Sequence, residues 1–413
     1  MVKVNMNGAP NLVLITSAFP FGRGEQFLEA EVKVLSQYFD CVTIFPHKKY
    51  GEKRGVPDNV IVNEGFAGYI ACDGVFRKVI RALAYIFKMK PRLRPRLSDI
   101  KALLISSYYA DCAEGYFAKE AESLLAGKDR LIFYSYWFYP STIGLLAVRE
   151  LFAADRIKVA VRAHRTDLYE EAQGIVEFPY RRMQINKFDR IYSISEHGVD
   201  HLRKMYGASN VCVSRLGTRT PEEVLAKKND GVVTIVSCSF INHVKRVEKI
   251  LDVVFVYAKL NPGLKVRWMH IGTGPLKSNL IGRIKTLNIL NLDCNLLGNM
   301  TNSQVHEFYK STYVDVFINL SESEGIPVSI MEAMSYGIPV VATRVGGVPE
   351  IVESGAGVLV EVDSDSSSIA RSLINFINEG SKGSARFCAK EIWSNKYNAE
   401  ENYRKFAIDL VNL

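Results

Sequence analysis

The chain alternates short apolar runs with amphipathic segments, which is the pattern of parallel β-strands joined by helices. The apolar runs are nearly continuous, as in strands buried on both faces of a sheet. Between them, apolar residues recur at helical spacing: Phe27, Val34 and Leu35 fall on one face of the first predicted helix. The pattern therefore predicts an α/β protein. Its predicted strands include 131–137, 158–164, 190–195, 210–217, 232–238, 265–271, 295–298, 316–320 and 339–342.

A polar, turn-rich segment between about residues 216 and 231 interrupts this alternation and precedes a fresh apolar run. A length of 413 residues is long for one hydrophobic core and sufficient for two. We therefore predict two domains, residues 1–217 and 218–392, each built on a doubly wound parallel sheet. The tail that follows, 393–413, has a helical pattern.

The stretch from Phe317 to Glu350 carries the clearest chemistry. It indicates a strand, a loop, a helix and a second strand, with Pro327 in the first helical turn and Gly337 as a left-handed cap. A helix that begins at the carboxyl end of a parallel strand presents its unpaired N–H groups to anions such as phosphate. Glu324 and Glu332 flank this helix start, and carboxylates are good acceptors for vicinal hydroxyls. An anion site framed by hydroxyl acceptors suits a sugar nucleotide.

Glu324-x7-Glu332, embedded in EGIPVSIMEAMSYGIPVVATRVGGVPEIV, resembles the donor-site signature of glycosyltransferase family 4, whose members are retaining enzymes of the GT-B fold. The resemblance implies an α/β architecture in which two Rossmann-like doubly wound domains face each other across a cleft. It also implies that the first Glu lies beside the donor sugar, the second accepts the ribose hydroxyls, and the segment between them binds the diphosphate. That segment includes Gly325, Ile326, Pro327, Val328 and Ser329.

Three further loops at predicted strand ends resemble donor-binding loops of the family. Lys245 resembles a family cation that binds the diphosphate, and Arg246 follows it directly. The family usually has an Arg six residues before this Lys, where this chain has Ser239, so Lys245 is left as the main cation and the expected donor affinity is lower. The other donor-binding residues predicted in this way are Gly272 and Gly274 of a Gly-x-Gly-Pro turn, and Asn299 and Met300 of a loop whose backbone reads the base.

His164 ends a predicted strand of the first domain, in the sequence Arg162-Ala163-His164-Arg165-Thr166-Asp167. A lone His in such a place is usually a hydrogen-bonded structural residue, but in the family a His in a similar His-x-x-Asp setting faces the donor sugar. We therefore predict that His164 and Glu324 are the catalytic residues.

The loop containing Gly22, Arg23 and Gly24 also sits at the carboxyl end of a predicted strand. Its glycines permit close approach to a ligand, and a plain flexible loop explains the residues equally well. Similar loops of the family lie over the acceptor, which favours an acceptor-side role. The family also sends its last helix back to the first domain, so 393–413 is expected to pack there.

Positive charge is concentrated between Arg77 and Lys101, a segment with nine Lys or Arg and one Asp. Its net charge of +8 equals that of the whole chain, so the positive and negative charges of the remaining residues cancel. Apolar residues at helical spacing, among them Val79, Leu83 and Phe87, make the segment amphipathic, which is typical of binding to an anionic membrane surface. A solvated helix face is the alternative. Nucleic acid is not an expected partner, because no recognised binding module accompanies the patch.

The composition, 48% hydrophobic and 23% charged, is typical of a globular protein. No apolar run of eighteen residues predicts a membrane span, and the N-terminal apolar run is expected to be a strand rather than a signal peptide. The seven cysteines are scattered, without a Cys-x-x-Cys, as in reduced cytosolic proteins.

Two motifs that could indicate a metal are interpreted otherwise. Asp363-Ser364-Asp365 matches the Asp-x-Asp of metal-dependent glycosyltransferases, but its position before a predicted helix favours an N-cap. His197 and His201 have a metal-binding spacing, but neither an acidic partner nor a third ligand is evident. We therefore predict neither a metal ion nor another cofactor.

These features together predict a retaining, metal-independent glycosyltransferase. It would move a sugar from a nucleoside-diphosphate sugar to a glycan or lipid-linked acceptor in bacterial cell-surface polysaccharide synthesis, in the cytoplasm at the inner face of the membrane. Two alternatives keep the fold: a sugar-nucleotide epimerase and a non-catalytic subunit that binds the sugar nucleotide. A nicotinamide-dependent oxidoreductase is the weakest alternative, because no complete Gly-x-Gly-x-x-Gly opens either predicted sheet.

Overall fold

The computed structural model describes residues 10–413 except 23, 92–95, 154, 222, 224–230, 354 and 379–381. The chain divides into two compact units. The first contains the residues up to Leu216 together with Glu400–Leu413, and the second contains Gly217–Ala399.

The first unit is built on a sheet with the strand order β3-β2-β1-β4-β5-β6-β7, and the strand pairs are parallel. Parallel neighbours require crossover connections, which the intervening helices supply. The strands are β1 Asn11–Thr16, β2 Val42–Pro46, β3 Val60–Val62, β4 Leu131–Ser135, β5 Ile157–Ala163, β6 Arg190–Ser193 and β7 Val211–Val213. The helices are α1 Phe27–Leu35, α2 Gly65–Ala71, α3 Val75–Met89, α4 Leu97–Leu125, α5 Ser141–Arg149, α6 Arg165–Leu168, α7 Arg181–Gln184 and α8 Glu196–Tyr206, with short 3₁₀ turns at Glu170–Gln173 and Ile185–Lys187.

The second unit repeats this design with the strand order β10-β9-β8-β11-β12-β13, again in parallel pairs. Its strands are β8 Val232–Cys238, β9 Lys265–Ile271, β10 Leu292–Gly298, β11 Val316–Asn319, β12 Val340–Thr343 and β13 Gly357–Val360. The remaining helices are α9 Val247–Leu260, α10 Lys277–Thr286, α11 Asn302–Ser311, α12 Val328–Ser335, α13 Val348–Ile351, α14 Ser366–Asn378, α15 Lys382–Lys396 and α16 Ala399–Val411.

The local predictions around α12 are confirmed. Pro327 occupies the N-cap of this helix, and Gly337 has a φ of 67°, the left-handed conformation expected of a terminating glycine. Asp365 caps α14, because its Oδ1 accepts hydrogen bonds from the N–H groups of Ser367 and Ser368 at 2.8 and 3.0 Å. The Asp-x-Asp sequence therefore serves a helix end, as the N-cap interpretation predicts.

The predicted boundary between residues 392 and 393 is wrong by seven residues. Trp393 and Tyr397 belong to the second unit, where the Trp393 indole donates to Thr218 Oγ1 at 2.8 Å and the Tyr397 hydroxyl donates to the Glu350 carbonyl at 3.2 Å. The chain joins the first unit from Glu400 onward. There Phe406 of α16 packs with its ring centroid 5.0 Å from that of Tyr134.

A buried ion pair lies inside the first unit. Arg162 of β5 and Glu31 of α1 are both fully buried and form a direct salt bridge. The Tyr134 hydroxyl donates to Glu31 at 2.9 Å, and the Arg162 guanidinium lies 4.2 Å from the Phe406 ring centroid. Burial raises the pKa of Glu31 although Arg162 opposes the shift. The pair therefore connects the sheet to α1 and α16.

Removal of Glu31 would leave the guanidinium of Arg162 buried without its counter-ion. We expect Glu31→Ala to lower the free energy of unfolding by about 3–5 kcal/mol, measured by urea denaturation. The double variant Glu31→Leu/Arg162→Met should recover most of this loss, because neither charge is then buried. The control is Glu64→Ala, which breaks an exposed pair with Lys49 and should change stability by about 0–1 kcal/mol. Equal losses in Glu31→Ala and Glu64→Ala would contradict the expectation.

Candidate functional site

The loop between β11 and α12 brings together two of the predicted residues. Glu324 is buried, and its Oε1 lies 2.5 Å from Lys245 Nζ, which comes from the loop after β8. Asn319, the last residue of β11, donates to the same oxygen at 3.4 Å. The carboxylate is therefore fixed at the carboxyl end of the sheet by one cation and one amide.

A glycine pair after β12 supports this loop and was not identified from the sequence. Gly346 has a φ of 52°, and a Cβ there would lie 1.9 Å from the Glu324 carbonyl oxygen. The N–H of Gly347 donates to the Gly325 carbonyl at 3.0 Å. Only glycine permits this approach, so the Gly-Gly pair shortly after an apolar run indicates a close contact of the backbone. The supported loop enters α12, whose first N–H groups have no intrahelical acceptors and suit an anion.

Glu332 lies one turn into α12 and is also buried. Its Oε1 accepts a hydrogen bond of 2.6 Å from Asn302 Nδ2, at the start of α11. Burial raises the pKa of Glu332 to about 7, and the bond from Asn302 opposes this shift. The sequence analysis missed Asn302, because the contact joins segments that are 30 residues apart.

The predicted residues after β8, β9 and β10 form one packed group of loops. The N–H of Ser239 donates to the Ile271 carbonyl at 3.0 Å, and that of Gly272 donates to the Gly298 carbonyl at 2.7 Å. A Cβ on Gly272 would lie 1.9 Å from the Ser239 carbonyl oxygen, and one on Gly274 would lie 2.3 Å from that of Ile241. These glycines therefore allow the loops to pack backbone against backbone. Asn299 and Met300 directly follow β10.

Arg246 has a different position from Lys245. It adopts a left-handed φ of 50° at the N-cap of α9, and its guanidinium donates to the Val362 carbonyl at 2.8 Å. The structure thus places Lys245, and not Arg246, against Glu324.

His164 of the first unit follows β5 and is 7% exposed. Its ring centroid lies 4.5 Å from that of Trp137 and 4.7 Å from that of Tyr136. The backbone N–H of His164 donates to Asp167 Oδ1 at 2.6 Å. Among the described residues, none makes a hydrogen bond with Nε2. Burial, with a smaller effect of the charge of Arg162, holds the pKa of His164 well below its usual value. The imidazole is therefore neutral near pH 7.

Glu25 organises the loop that contains the predicted acceptor-side glycines. Its carboxylate accepts three backbone N–H bonds of 2.7–2.9 Å, from residues 17–19, and a bond of 2.6 Å from the Trp137 indole. Through Trp137 it connects the loop after β1 to His164. The sequence analysis did not predict a role for Glu25, although this acidic residue directly follows the Gly-x-Gly of residues 22–24.

Gly22 and Gly24 lie in this loop, and Arg23 lies outside the described residues. Gly22 has a φ of 68°, and a Cβ there would lie 2.5 Å from the Tyr50 ring. The Gly24 carbonyl accepts a bond of 2.6 Å from Arg54. These contacts tie the loop to the segment after β2, and its predicted acceptor-side role stays a prediction.

The two histidines of α8 have a partner that the sequence did not reveal. His201 Nε2 lies 3.0 Å from Glu170 Oε2, which is an acidic partner that was not evident from the sequence. Within the described ranges, no cluster of three or more His, Cys, Asp or Glu side chains has an arrangement that could hold a metal ion. None of the helices in the same ranges combines the length and apolarity needed to cross a bilayer.

Comparison with known families identifies the second unit. The family described as Glycosyl transferases group 1 matches residues 221–390. Residues 221–390 are thus similar to the group 1 glycosyl transferases. The resemblance found in the sequence is thus confirmed, and the matched range contains every predicted donor-binding residue from Ser239 to Glu332.

Two curated proteins are similar to part of the chain. The N-acetyl-alpha-D-glucosaminyl L-malate synthase of Bacillus anthracis is 31% identical over 140 residues, which are 34% of this chain and 35% of that protein. The putative colanic acid biosynthesis glycosyltransferase WcaL of Escherichia coli K12 is 26% identical over 250 residues, 58% of this chain and 60% of that protein. The chain therefore matches between about a third and three fifths of the length of these relatives.

Solved structures extend the comparison to the fold of nearly the whole chain. S. aureus TarM, in complex with Fondaparinux, alpha-GlcNAc-glycerol and UDP, has a TM-score of 0.62 at 12% identity, covering 98% of this chain and 100% of that chain. At this identity the similarity concerns the fold. The range matched by the family is thus part of an α/β chain that has the GT-B fold with two Rossmann-like units, as predicted.

The ionisation of Asp167 provides a test of the structure around His164. Burial raises the pKa of Asp167 to about 7, against hydrogen bonds from the N–H groups of Phe138 and His164. Because this value exceeds the unfolded value of 3.8, the contribution to stability is present at low pH and is lost as the pH rises through 7. Asp167→Asn should remove this dependence, measured as urea midpoints between pH 4 and 8.

Asp155→Asn is the matched control for Asp167→Asn, since its carboxylate is exposed and should leave the slope of stability against pH nearly unchanged. If Asp167→Asn and the unaltered protein show the same slope, Asp167 is ionised in the folded state and the expectation is wrong.

Proposed function

We propose that the chain is a retaining glycosyltransferase that moves a sugar from a nucleoside-diphosphate sugar to a glycan or lipid-linked acceptor in bacterial cell-surface polysaccharide synthesis. One observation carries the proposal: the buried Glu324 pairs with the partly exposed Lys245 at the start of α12, and Glu332 lies on the same helix. The name of WcaL, a putative colanic acid biosynthesis glycosyltransferase, supports this pathway class.

The diphosphate is proposed to bind where α12 begins. The N–H groups at a helix start carry partial positive charge, and Lys245 adds a full charge beside them. Together they would stabilise the negative charge that grows on the departing phosphate. A metal ion is not required for this task. Glu332 would accept the ribose hydroxyls, and Glu324 would accept hydroxyls of the donor sugar.

In the proposed reaction, the bond between the anomeric carbon and the diphosphate oxygen breaks, and the acceptor hydroxyl attacks from the same face. The hydroxyl proton passes to the departing diphosphate. Glu324 and His164 orient the transferred sugar and stabilise its developing charge, and neither forms a covalent bond to it. A neutral His164 suits this role, because an imidazolium would repel the oxocarbenium-like centre.

The donor site is tested by calorimetry with UDP, GDP and ADP. We expect Glu332→Ala and Lys245→Ala each to weaken binding by about 1.5–3 kcal/mol, because each removes charge-assisted hydrogen bonds. Glu324→Ala and His164→Ala should lower turnover much more than nucleotide affinity. The product should keep the anomeric configuration of the donor by NMR, and activity should survive a chelator.

Lys249→Ala is the control for Lys245→Ala, because Lys249 points to the Val362 carbonyl and should not affect binding. Unchanged affinity in both Glu332→Ala and Lys245→Ala would contradict the donor site. Donor turnover without acceptor to an epimerised sugar nucleotide would favour the epimerase, and nucleotide binding without any turnover would favour the non-catalytic subunit. An inverted product would contradict retention.

A membrane surface is proposed as a further partner, because α3 exposes a row of large apolar side chains. The buried residues of this helix are Ala82 and Tyr85. The exposed ones, each between 42% and 81% exposed, are Val75, Phe76, Val79, Ile80, Leu83 and Phe87. An apolar helix face of this kind can lie in the interface of a bilayer.

Only part of the charge predicted for 77–101 is available to a membrane. Arg81 is nearly buried and pairs with Asp73 and Asp111 at 2.9 and 2.7 Å, and Lys88 pairs with Glu114 at 2.5 Å. Arg92 and Arg94 lie outside the described residues. In the proposed binding, apolar contacts would thus contribute more, and charge less, than the sequence implied. The proposed location is the cytoplasmic face of an anionic membrane. Among the described residues, the exposed cations of the segment include Lys90, Arg96 and Lys101.

Vesicle co-sedimentation tests this partner. We expect binding to phosphatidylglycerol-containing vesicles that weakens with salt, since each basic residue near the surface contributes about 1 kcal/mol. The variant Phe76→Ser/Phe87→Ser should lose most of the binding that persists at high salt. The control is Phe387→Ser, which changes a Phe that is 68% exposed in the other unit. Equal binding to neutral and anionic vesicles, or no binding, would contradict the proposed membrane partner. The segment would then be a solvated helix face.

A further inference from the structure

Asn302 makes a contact that its own helix does not require. The N-terminus of α11 is already capped, since Thr301 Oγ1 accepts from the Gln304 N–H at 3.3 Å and Gln304 Oε1 accepts from the Thr301 N–H at 2.8 Å. This capping box satisfies the helix end. The side chain of Asn302 is therefore available for another contact, and its Nδ2 donates to Glu332 Oε1 at 2.6 Å.

This contact uses one oxygen of the Glu332 carboxylate. Among the described residues, Asn302 is the side chain that donates a hydrogen bond to this carboxylate. A carboxylate has two oxygens and can accept from several donors, so Oε2 remains for the vicinal hydroxyls of a ribose. With Oε1 fixed, the plane of the carboxylate is fixed as well.

The surroundings of Glu332 make its ionisation sensitive to this neighbour. Burial raises its pKa to about 7, while the bond from Asn302 and the charge of Arg219 lower it. Cys238 at the end of β8 and Tyr309 of α11 lie close enough for their charges to interact with Glu332. These two groups are neutral near pH 7, since burial raises both of their pKa values. Asn302 is therefore the hydrogen-bond donor that favours the ionised carboxylate.

We propose that Asn302 is a positioning residue for the nucleoside: it orients Glu332 and keeps it ionised, so that the ribose hydroxyls meet a charged acceptor. The inference rests on the proposed function, in which Glu332 binds the ribose. Beyond that function, we infer that donor affinity rises with pH around neutrality. Asn302 sets the pH at the midpoint of this rise. An ionised carboxylate can accept from both hydroxyls, whereas the protonated form loses one acceptor position.

Calorimetry between pH 5.5 and 8.5 tests this on the full chain. The probes are UDP and its 2′,3′-dideoxy analogue, or the corresponding pair with guanine or adenine if GDP or ADP binds more tightly. We expect Asn302→Ala to weaken binding of the ribonucleotide about tenfold at pH 7.5, the effect of one charge-assisted hydrogen bond. Binding of the dideoxy analogue should change less than about twofold. The pH profile is read as the ratio of the affinities for the ribonucleotide and the dideoxy analogue, because both carry the same titrating phosphate. The midpoint of this profile should move to higher pH, and Glu332→Gln should abolish the pH dependence of the ratio.

Two further variants separate positioning from folding. Asn302→Asp preserves the shape of the side chain and removes its donor, so it should move the midpoint further than Asn302→Ala does. Gln304→Ala disrupts the capping box without touching Glu332, so it should lower stability and leave the midpoint and the discrimination against the dideoxy analogue unchanged.

The outcomes separate this inference from the proposed function. Equal losses for the ribonucleotide and the dideoxy analogue in Asn302→Ala, or an unmoved midpoint, would overturn the inference and leave the donor site intact. If the unaltered protein bound none of UDP, GDP and ADP, the proposed function would fail and the inference with it.

Discussion

Carboxylates that are buried or partly buried near the carboxyl ends of parallel strands are the constraint on which the loops of both units depend. An ionised carboxylate removed from water is stable only where donors or cations replace its hydration. Glu25 has three backbone N–H groups and an indole, and Glu324 has an ammonium and an amide. Among the described residues, Glu332 has one amide donor, and burial raises its pKa to about 7 although the bond from Asn302 opposes this shift. The loops adopt their conformations largely because these groups must be satisfied.

Close packing of backbone is the second requirement, and glycines meet it. Gly272 and Gly346 each lie where a Cβ would be 1.9 Å from a neighbouring carbonyl oxygen. The loops they join carry Ser239 and Glu324, so the glycines act on the site through the backbone of their neighbours. A Gly in a donor loop is thus not by itself evidence of contact with phosphate.

The sequence predicts what depends on local pattern or on a long motif. The strand–helix alternation, the cap at Gly337 and the pair of Glu324 and Glu332 follow from periodicity, turn chemistry and family resemblance. Contacts between distant segments could not be predicted in this way: Asn302 reaches a helix 30 residues away, and Glu25 reaches Trp137 across 112 residues. The same reason explains the misplaced end of the second unit, since the partners of Trp393 and Tyr397 are Thr218 and Glu350.

The ion pair between Lys245 and Glu324 has a kinetic meaning for the proposed reaction. The ammonium that would receive the donor phosphate is already bound to a carboxylate of the protein, 2.5 Å away. An incoming anion therefore exchanges with a resident one, and the resident acid competes again as soon as the sugar has left. In the proposed reaction, this competition would weaken the binding of the nucleoside diphosphate product. The ion pair would therefore favour rapid dissociation of this product, after which Lys245 and Glu324 pair again in the empty site.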